Sequence, residues 1–212
     1  MGDGLTPSLF FRIMRIRFFL IFGLILTSGF AIAQSSQIGW GLKAGVNSSG
    51  AQTDNTLLVL NQSKYGWQAG AYSKSIVEGW GYIIEANISA LGSIQKVSNE
   101  VQTNNIGYLT LPLAIQYRLP KKIAIYLGPY IGFRMWAKRK TTQPGIPDIE
   151  ANIKDNIAFV DYGGVVGLNY TFKKILFDLR YLQGIQNFNT NSQINVRANN
   201  YSIQFSLGYF MK

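Results

Sequence analysis

Residues 106–135, IGYLTLPLAIQYRLPKKIAIYLGPYIGFRM, alternate with a period of two, turn at Leu119-Pro120-Lys121-Lys122, and alternate again. On the first arm Leu109, Leu111, Leu113, Ile115 and Tyr117 share one face, and Tyr108, Thr110, Pro112, Ala114, Gln116 and Arg118 share the other. On the second arm Ile123, Ile125, Leu127, Pro129, Ile131 and Phe133 lie opposite Ala124, Tyr126, Gly128, Tyr130, Gly132 and Arg134. A two-residue period specifies extended strands. One face of each arm is apolar, and each arm has about the 9–11 residues that carry a tilted strand across a bilayer. The pattern is that of a hairpin in a transmembrane β-barrel, with lipid on one side and a lumen on the other. Pro112 and Pro129 work against it, because each removes an N–H from the ladder. The turn near Pro120 sets them at similar heights on neighbouring strands, so one shared bulge or break is expected there.

The same alternation recurs along the chain. Six further segments show it: Gly39–Asn47, Tyr65–Ser73, Trp80–Leu91, Phe159–Phe172, Ile175–Gln183 and Tyr201–Phe210, which with the two arms make eight. Connections 48–64, 92–105, 136–157 and 184–200 are long and rich in Asn, Gln, Ser and Thr, with Asn104 taken as a loop residue. Those at Ser75–Gly79, Leu119–Lys122 and Thr171–Lys174 are short. Outer-membrane barrels have long extracellular loops and short periplasmic turns. Eight strands starting from the periplasm put every long connection outside. The predicted fold is therefore an all-β, eight-stranded antiparallel transmembrane up-and-down barrel, residues 34–212, behind a cleavable signal peptide.

That signal is expected at residues 1–33. Arg12, Arg15 and Arg17 form a basic region, Phe18–Leu26 an apolar core, and Ala31-Ile32-Ala33 a cleavage site ahead of Gln34. Met14 is an alternative start, and a retained membrane anchor is disfavoured because the apolar core is short for a span. After Gln34 no stretch offers the roughly 18 consecutive apolar residues of a membrane helix. Charged residues are only 14% of the chain, against roughly 25% in soluble domains; an alternating barrel produces both features.

Composition also bounds the chemistry. Cysteine and histidine are both absent, which removes disulfides, thiolate sites, and the Ser-His and Cys-His pairs of nucleophilic catalysis. No catalytic, cofactor or metal residue is assigned, and no catalysis is expected. Net charge is +10, or +8 beyond residue 33 once Arg12, Arg15, Arg17 and Asp3 are set aside. The basic residues are scattered over turns and loops, and export separates them from nucleic acid, so no nucleic-acid partner is expected. Lys43, Glu85, Arg134, Asp161, Asp178 and Arg180 fall on inward faces of five strands. A lumen of eight strands has room for side chains but not for a water-filled channel, so these charges are expected to pair into a structural network. Glu85, Asp161 and Asp178 lack the companion groups for acid–base work. Lys138-Arg139-Lys140, just past Trp136 at the outer interface, is the candidate contact for lipopolysaccharide phosphates, although a solvated loop base explains it as well. Asn87-Ile88-Ser89 matches a glycosylation sequon by chance, being on a strand.

GWGLKAGVNSS, YLTLPLAIQYR, LGPYIGF, VDYGGVVGLNY and the final SIQFSLGYF, in this order and spacing, resemble the PorT-like outer-membrane β-barrel proteins of Bacteroidetes-type bacteria over roughly residues 37–212. The resemblance implies an eight-stranded outer-membrane barrel and no catalytic motif; the family's founding member belongs to a secretion apparatus, while most relatives have no assigned task. One departure is that Met211 and Lys212 follow Phe210, where such barrels end on an aromatic residue. The expected role is structural, binding or secretion-associated, acting through extracellular loops, with outer-membrane lipids, lipopolysaccharide and envelope or secretion proteins as partners. The rival readings are a small pore or transporter for ions or small solutes, an outer-membrane enzyme, which the missing histidine disfavours, and a soluble lipocalin-type barrel with its faces inverted.

Overall fold

In the computed structural model, which describes residues 38–53, 60–97, 99–189 and 198–211, the alternating stretches become strands. They are β1 (Gly39–Thr53), β2 (Leu60–Val77), β3 (Trp80–Val97), β4 (Glu100–Arg118), β5 (Ile123–Gln143), β6 (Ile146–Asn152), β7 (Val160–Phe172), β8 (Ile175–Gly184) and β9 (Ala198–Phe210). The signal segment expected at 1–33 lies outside the described residues. Neighbours pair antiparallel around a closed ring, β1-β2-β3-β4-β5-β7-β8-β9 and back to β1. β6 stands outside the ring and, among the described residues, pairs with the far end of β5 alone. The eight-stranded up-and-down barrel read from the sequence is thus the fold, with one extra hairpin strand.

Closure requires stagger. Stepping across the ring from Trp40 passes through Ser73, Ile84 and Leu113, crosses in unchanged register to Pro129 where the ladder is interrupted, and continues through Gly164, Gln183 and Tyr201. It returns to β1 at Gly50, ten residues beyond the start. A stagger of this kind tilts the strands, typically by about 35–45°.

The residues on the outer wall are apolar and open. Leu42, Val46, Ile84, Leu113, Ile115, Leu127, Val166, Ile203 and Leu207 are all exposed, while Lys43, Glu85, Asn87, Asn169, Asp178, Arg180, Gln204 and Ser206 are buried inside. A soluble lipocalin-type barrel has the opposite distribution. So continuous an apolar surface is tolerable only where hydrocarbon is the solvent. Aromatic pairs mark its borders: Trp80 and Tyr117, with ring centroids 4.7 Å apart, and Tyr170 with Phe177 near the short turns, and Phe133 with Phe159 toward the long connections.

The prolines break the ladder without shifting it. Pro112 opposes Tyr130, the next two pairs are skipped, and pairing resumes at Ile115 and Leu127 in the same register. The bulge lies elsewhere. Gly107 pairs with Trp136 and Tyr108 with Arg134, leaving Met135 as an extra residue on β5. Below it even-numbered residues of β5 face the lumen; above it odd-numbered ones do, beginning with buried Ala137.

The strands also run beyond their expected ends. Residues 92–105, read as a loop, are largely strand, with β3 pairing β4 as far as Val97 and Glu100. Asn104 is accordingly a buried strand residue, its side chain bonded to Ser93 and Arg139. Beyond the bilayer both faces of a strand meet water or polar groups, so pairing can continue without the apolar alternation that reveals a lipid-facing strand.

Candidate functional site

Buried side chains line the lumen in successive layers. Following β1 upward from the short turns, Gly41 makes room for Tyr72, whose Cζ and Oη would each lie 2.7 Å from a Cβ there. Tyr72, Gln116 and Leu176 close this end.

Next comes the charged layer. Lys43 Nζ lies 2.6 Å from Glu85 Oε1 and 3.1 Å from Asp178 Oδ2. Arg180 Nη1 donates to Glu85 Oε2, and its Nε stands 4.0 Å from Asp178 Oδ2. All four side chains are 1% exposed. Two cations therefore face two carboxylates in a buried interior, where an unmatched charge would be very costly. Neutral groups complete the shell. Gln68 Oε1 accepts from Arg180 Nη2 at 2.8 Å and Gln204 Oε1 from its Nε at 2.7 Å. Asn87 Nδ2 donates to Glu85 at 2.8 Å, and Tyr126 Oη and Ser206 Oγ donate to Asp178 at 2.6 and 3.3 Å. These residues come from β1, β2, β3, β5, β8 and β9, so the layer stitches six of the eight ring strands across the lumen.

Asp161 and Arg134, expected in the same network, stand outside it. Asp161 Oδ2 accepts from Tyr130 Oη at 3.2 Å and Asn200 Nδ2 at 3.1 Å, in a higher layer that includes Tyr108. Arg134 is higher still; its Nη1 donates to the carbonyl of Lys154. Strand spacing gave both residues their inward face, but the tilt of the strands separates them in height from the other four.

Above this layer the lumen turns apolar. Ala51, Leu91, Ile106, Tyr108, Ala137 and Ala198 of the wall pack with Ile153, Ile157 and Phe188 of the long connections. Backbone bonds brace the cap: Ala158 N–H to the Phe188 carbonyl at 2.8 Å and Phe188 N–H to the Ala198 carbonyl at 2.9 Å. The sequence reading missed this cap because three isolated apolar residues in Asn-rich loops carry no periodicity.

The basic run 138–140 is divided by strand alternation. Lys138 and Lys140 project outward and are exposed, whereas Arg139 turns the other way and its Nε donates to Asn104 Oδ1 at 2.9 Å. Lys140 Nζ pairs with Asp148 Oδ2 of β6 at 2.6 Å. Hydrogen bonds from Lys140 and then Thr142 hold the Asp148 carboxyl below the usual carboxylate range, and the bond to Asp148 raises the Lys140 ammonium. The pair is therefore intact above the ordinary carboxylate range and released as pH falls through the lowered value of Asp148.

Packing in the charged layer supplies a local test. A Cβ on Gly167 would lie 2.5 Å from Tyr126 Cζ and 2.8 Å from Arg180 Cβ. Gly167→Ala should push the Tyr126 hydroxyl off Asp178 and destabilise the barrel by about 1–3 kcal/mol. Urea titration in lipid vesicles measures this, and an unchanged midpoint would show that the ring has room.

Residues 32–190 match the family described as outer membrane protein beta-barrel domain. No curated protein matches the chain. Similar solved structures include Ail, the attachment invasion locus protein of Yersinia pestis, in complex with the heparin analogue sucrose octasulfate, at 14% identity over 82% of this chain and 99% of that one, TM-score 0.46. Neisserial surface protein A is similar at 11% identity over 80% and 96%, TM-score 0.41. OprG from Pseudomonas aeruginosa is similar at 14% identity over 82% and 94%, TM-score 0.39.

Proposed function

Because this chain belongs to the outer membrane protein beta-barrel domain family, we propose that it is a closed, non-conducting anchor whose work is binding at its extracellular end. The observation that carries this reading is the pair of layers across the lumen. A matched charge layer, its side chains 1% exposed, and a separate apolar cap lie in series. The reading includes export, with residues 1–33 removed ahead of Gln34, and short turns facing the periplasm. It includes no catalysis. Lys138 and Lys140, exposed beside Trp136 on the lipid-facing side of β5, are the groups that would meet lipopolysaccharide phosphates. The motif order shared with PorT-like barrels supports a place among envelope or secretion proteins.

Planar bilayers test the reading directly: the wild-type protein should carry no steady current above the lipid baseline. Steady single-channel steps would replace it with the pore reading. In the same series Lys138→Ala/Lys140→Ala should weaken association with lipopolysaccharide-containing vesicles by roughly 5- to 25-fold, since each basic residue near an anionic surface contributes about fivefold and Lys140 is partly neutralised by Asp148.

A further inference from the structure

The short-turn end of the barrel carries a charge imbalance of its own. The β4–β5 turn presents Lys121 and Lys122, and the β7–β8 turn presents Lys173 and Lys174, all exposed. Ile123 pairs with Tyr170, so the two turns are adjacent on the ring and their lysines form one patch. The remaining short turn contributes one acid, Glu78, beside Gly79.

Two observations say what this patch faces. The Lys173 ammonium lies 5.7 Å from the centroid of the Phe172 ring, and that of Lys174 lies 5.9 Å from the Tyr209 ring. Both rings are exposed on the lipid-facing side of the wall, so these ammonium groups stand at its foot, at headgroup depth, instead of over the lumen. The backbone supplies the second observation. Lys121, Lys122 and Lys173 have φ of 63°, 62° and 53°, in the left-handed region. Asn and Gly adopt this region at little cost and are the usual residues of such turns. Lysine at all three positions is local strain kept in favour of positive charge, and strain of this kind points to function.

We propose that Lys121, Lys122, Lys173 and Lys174 dock the barrel onto anionic phospholipid headgroups of the periplasmic leaflet. This rests on the orientation adopted above, with the short turns in the periplasm. The patch enriches anionic lipid around one side of the barrel, while the ring stacking holds two of the four ammonium groups in place.

The test uses the full chain in vesicles and measures the association of spin-labelled phosphatidylglycerol relative to phosphatidylcholine. The wild-type barrel should prefer phosphatidylglycerol by about threefold or more, and the preference should fall away at 1 M salt, where screening acts over about 3 Å. The variant K121N/K122G/K173N/K174Q should show nearly equal association, and K121R/K122R/K173R/K174R should keep the wild-type preference. Asn-Gly suits the left-handed turn, so the first variant should fold, as its heat-modifiable migration on a gel would show. Equal association in the wild type, or an undiminished preference in the asparagine–glycine variant, overturns the proposal. So does loss of the preference to millimolar inorganic phosphate at constant ionic strength, which would mark a single-anion site instead of a lipid surface. Orientation is tested separately. The chain has no cysteine, so K122C is a unique thiol, which an impermeant maleimide should label only after the outer membrane is permeabilised. Labelling of intact cells would overturn the orientation itself, whatever the vesicles show.

Discussion

Glu85→Ala should destabilise the barrel by roughly 3–5 kcal/mol, the cost of leaving a buried charge without its partner. Glu85 is the acceptor shared by Lys43, Arg180 and Asn87, one oxygen facing the lysine and the other the arginine and the amide. Removing it leaves two cations against Asp178 alone. Their nearest neutral groups, Gln68 and Gln204, are already engaged by Arg180. Refolding titrations in lipid vesicles read the loss. The double variant Lys43→Met/Glu85→Gln removes one charge of each sign and should lose less than the sum of the single changes, as expected for groups in one network. Tyr126 and the apolar cap remain in place, so the Glu85→Ala variant should still carry no current. A variant within 1 kcal/mol of wild type would show that water reaches the layer and screens it.

Leu111→Arg should cost about 2–4 kcal/mol in a bilayer, the penalty of a guanidinium near the midplane on the lipid side of a barrel, and Ile125→Arg about 1 kcal/mol, because Ile125 pairs with the border residue Tyr117. Leu111 on β4 and Ile125 on β5 both point outward and are 38% and 47% exposed. Ala151→Arg, on the exposed β6 strand, is the control and should stay within about 0.5 kcal/mol. Equal effects at the three sites would mean that the wall does not meet hydrocarbon.

The fold was legible because hydrocarbon imposes a strict rule on every lipid-facing position. All eight ring strands show it: Leu42 and Val46 on β1, Ile84 and Ile88 on β3, and Leu179 and Tyr181 on β8 are outward as the two-residue period requires. Where lipid ends, so does the rule. The outer parts of β3 and β4 and the whole of β6 therefore read as loops, although they are paired strands. The lumen was half legible. Period two gave each charge its face, but height depends on tilt and stagger, which no single strand encodes; this is why Asp161 and Arg134 parted from Lys43, Glu85, Asp178 and Arg180. The cap residues Ile153, Ile157 and Phe188 had no signal, since each is isolated in its loop and finds its neighbours only through the closed ring.

Met135 works as a frameshift does in a reading frame. Because facing alternates residue by residue, the one extra residue inverts everything that follows it on β5. Without it Lys138 and Lys140 would turn inward against Ile106 and Leu91, and Arg139 would turn out. Which charges this end of the barrel displays is thus decided by a count of residues, not by their identity. An insertion or deletion at this point re-deals the exposed face of the β5–β6 hairpin while leaving every residue of the membrane wall in place.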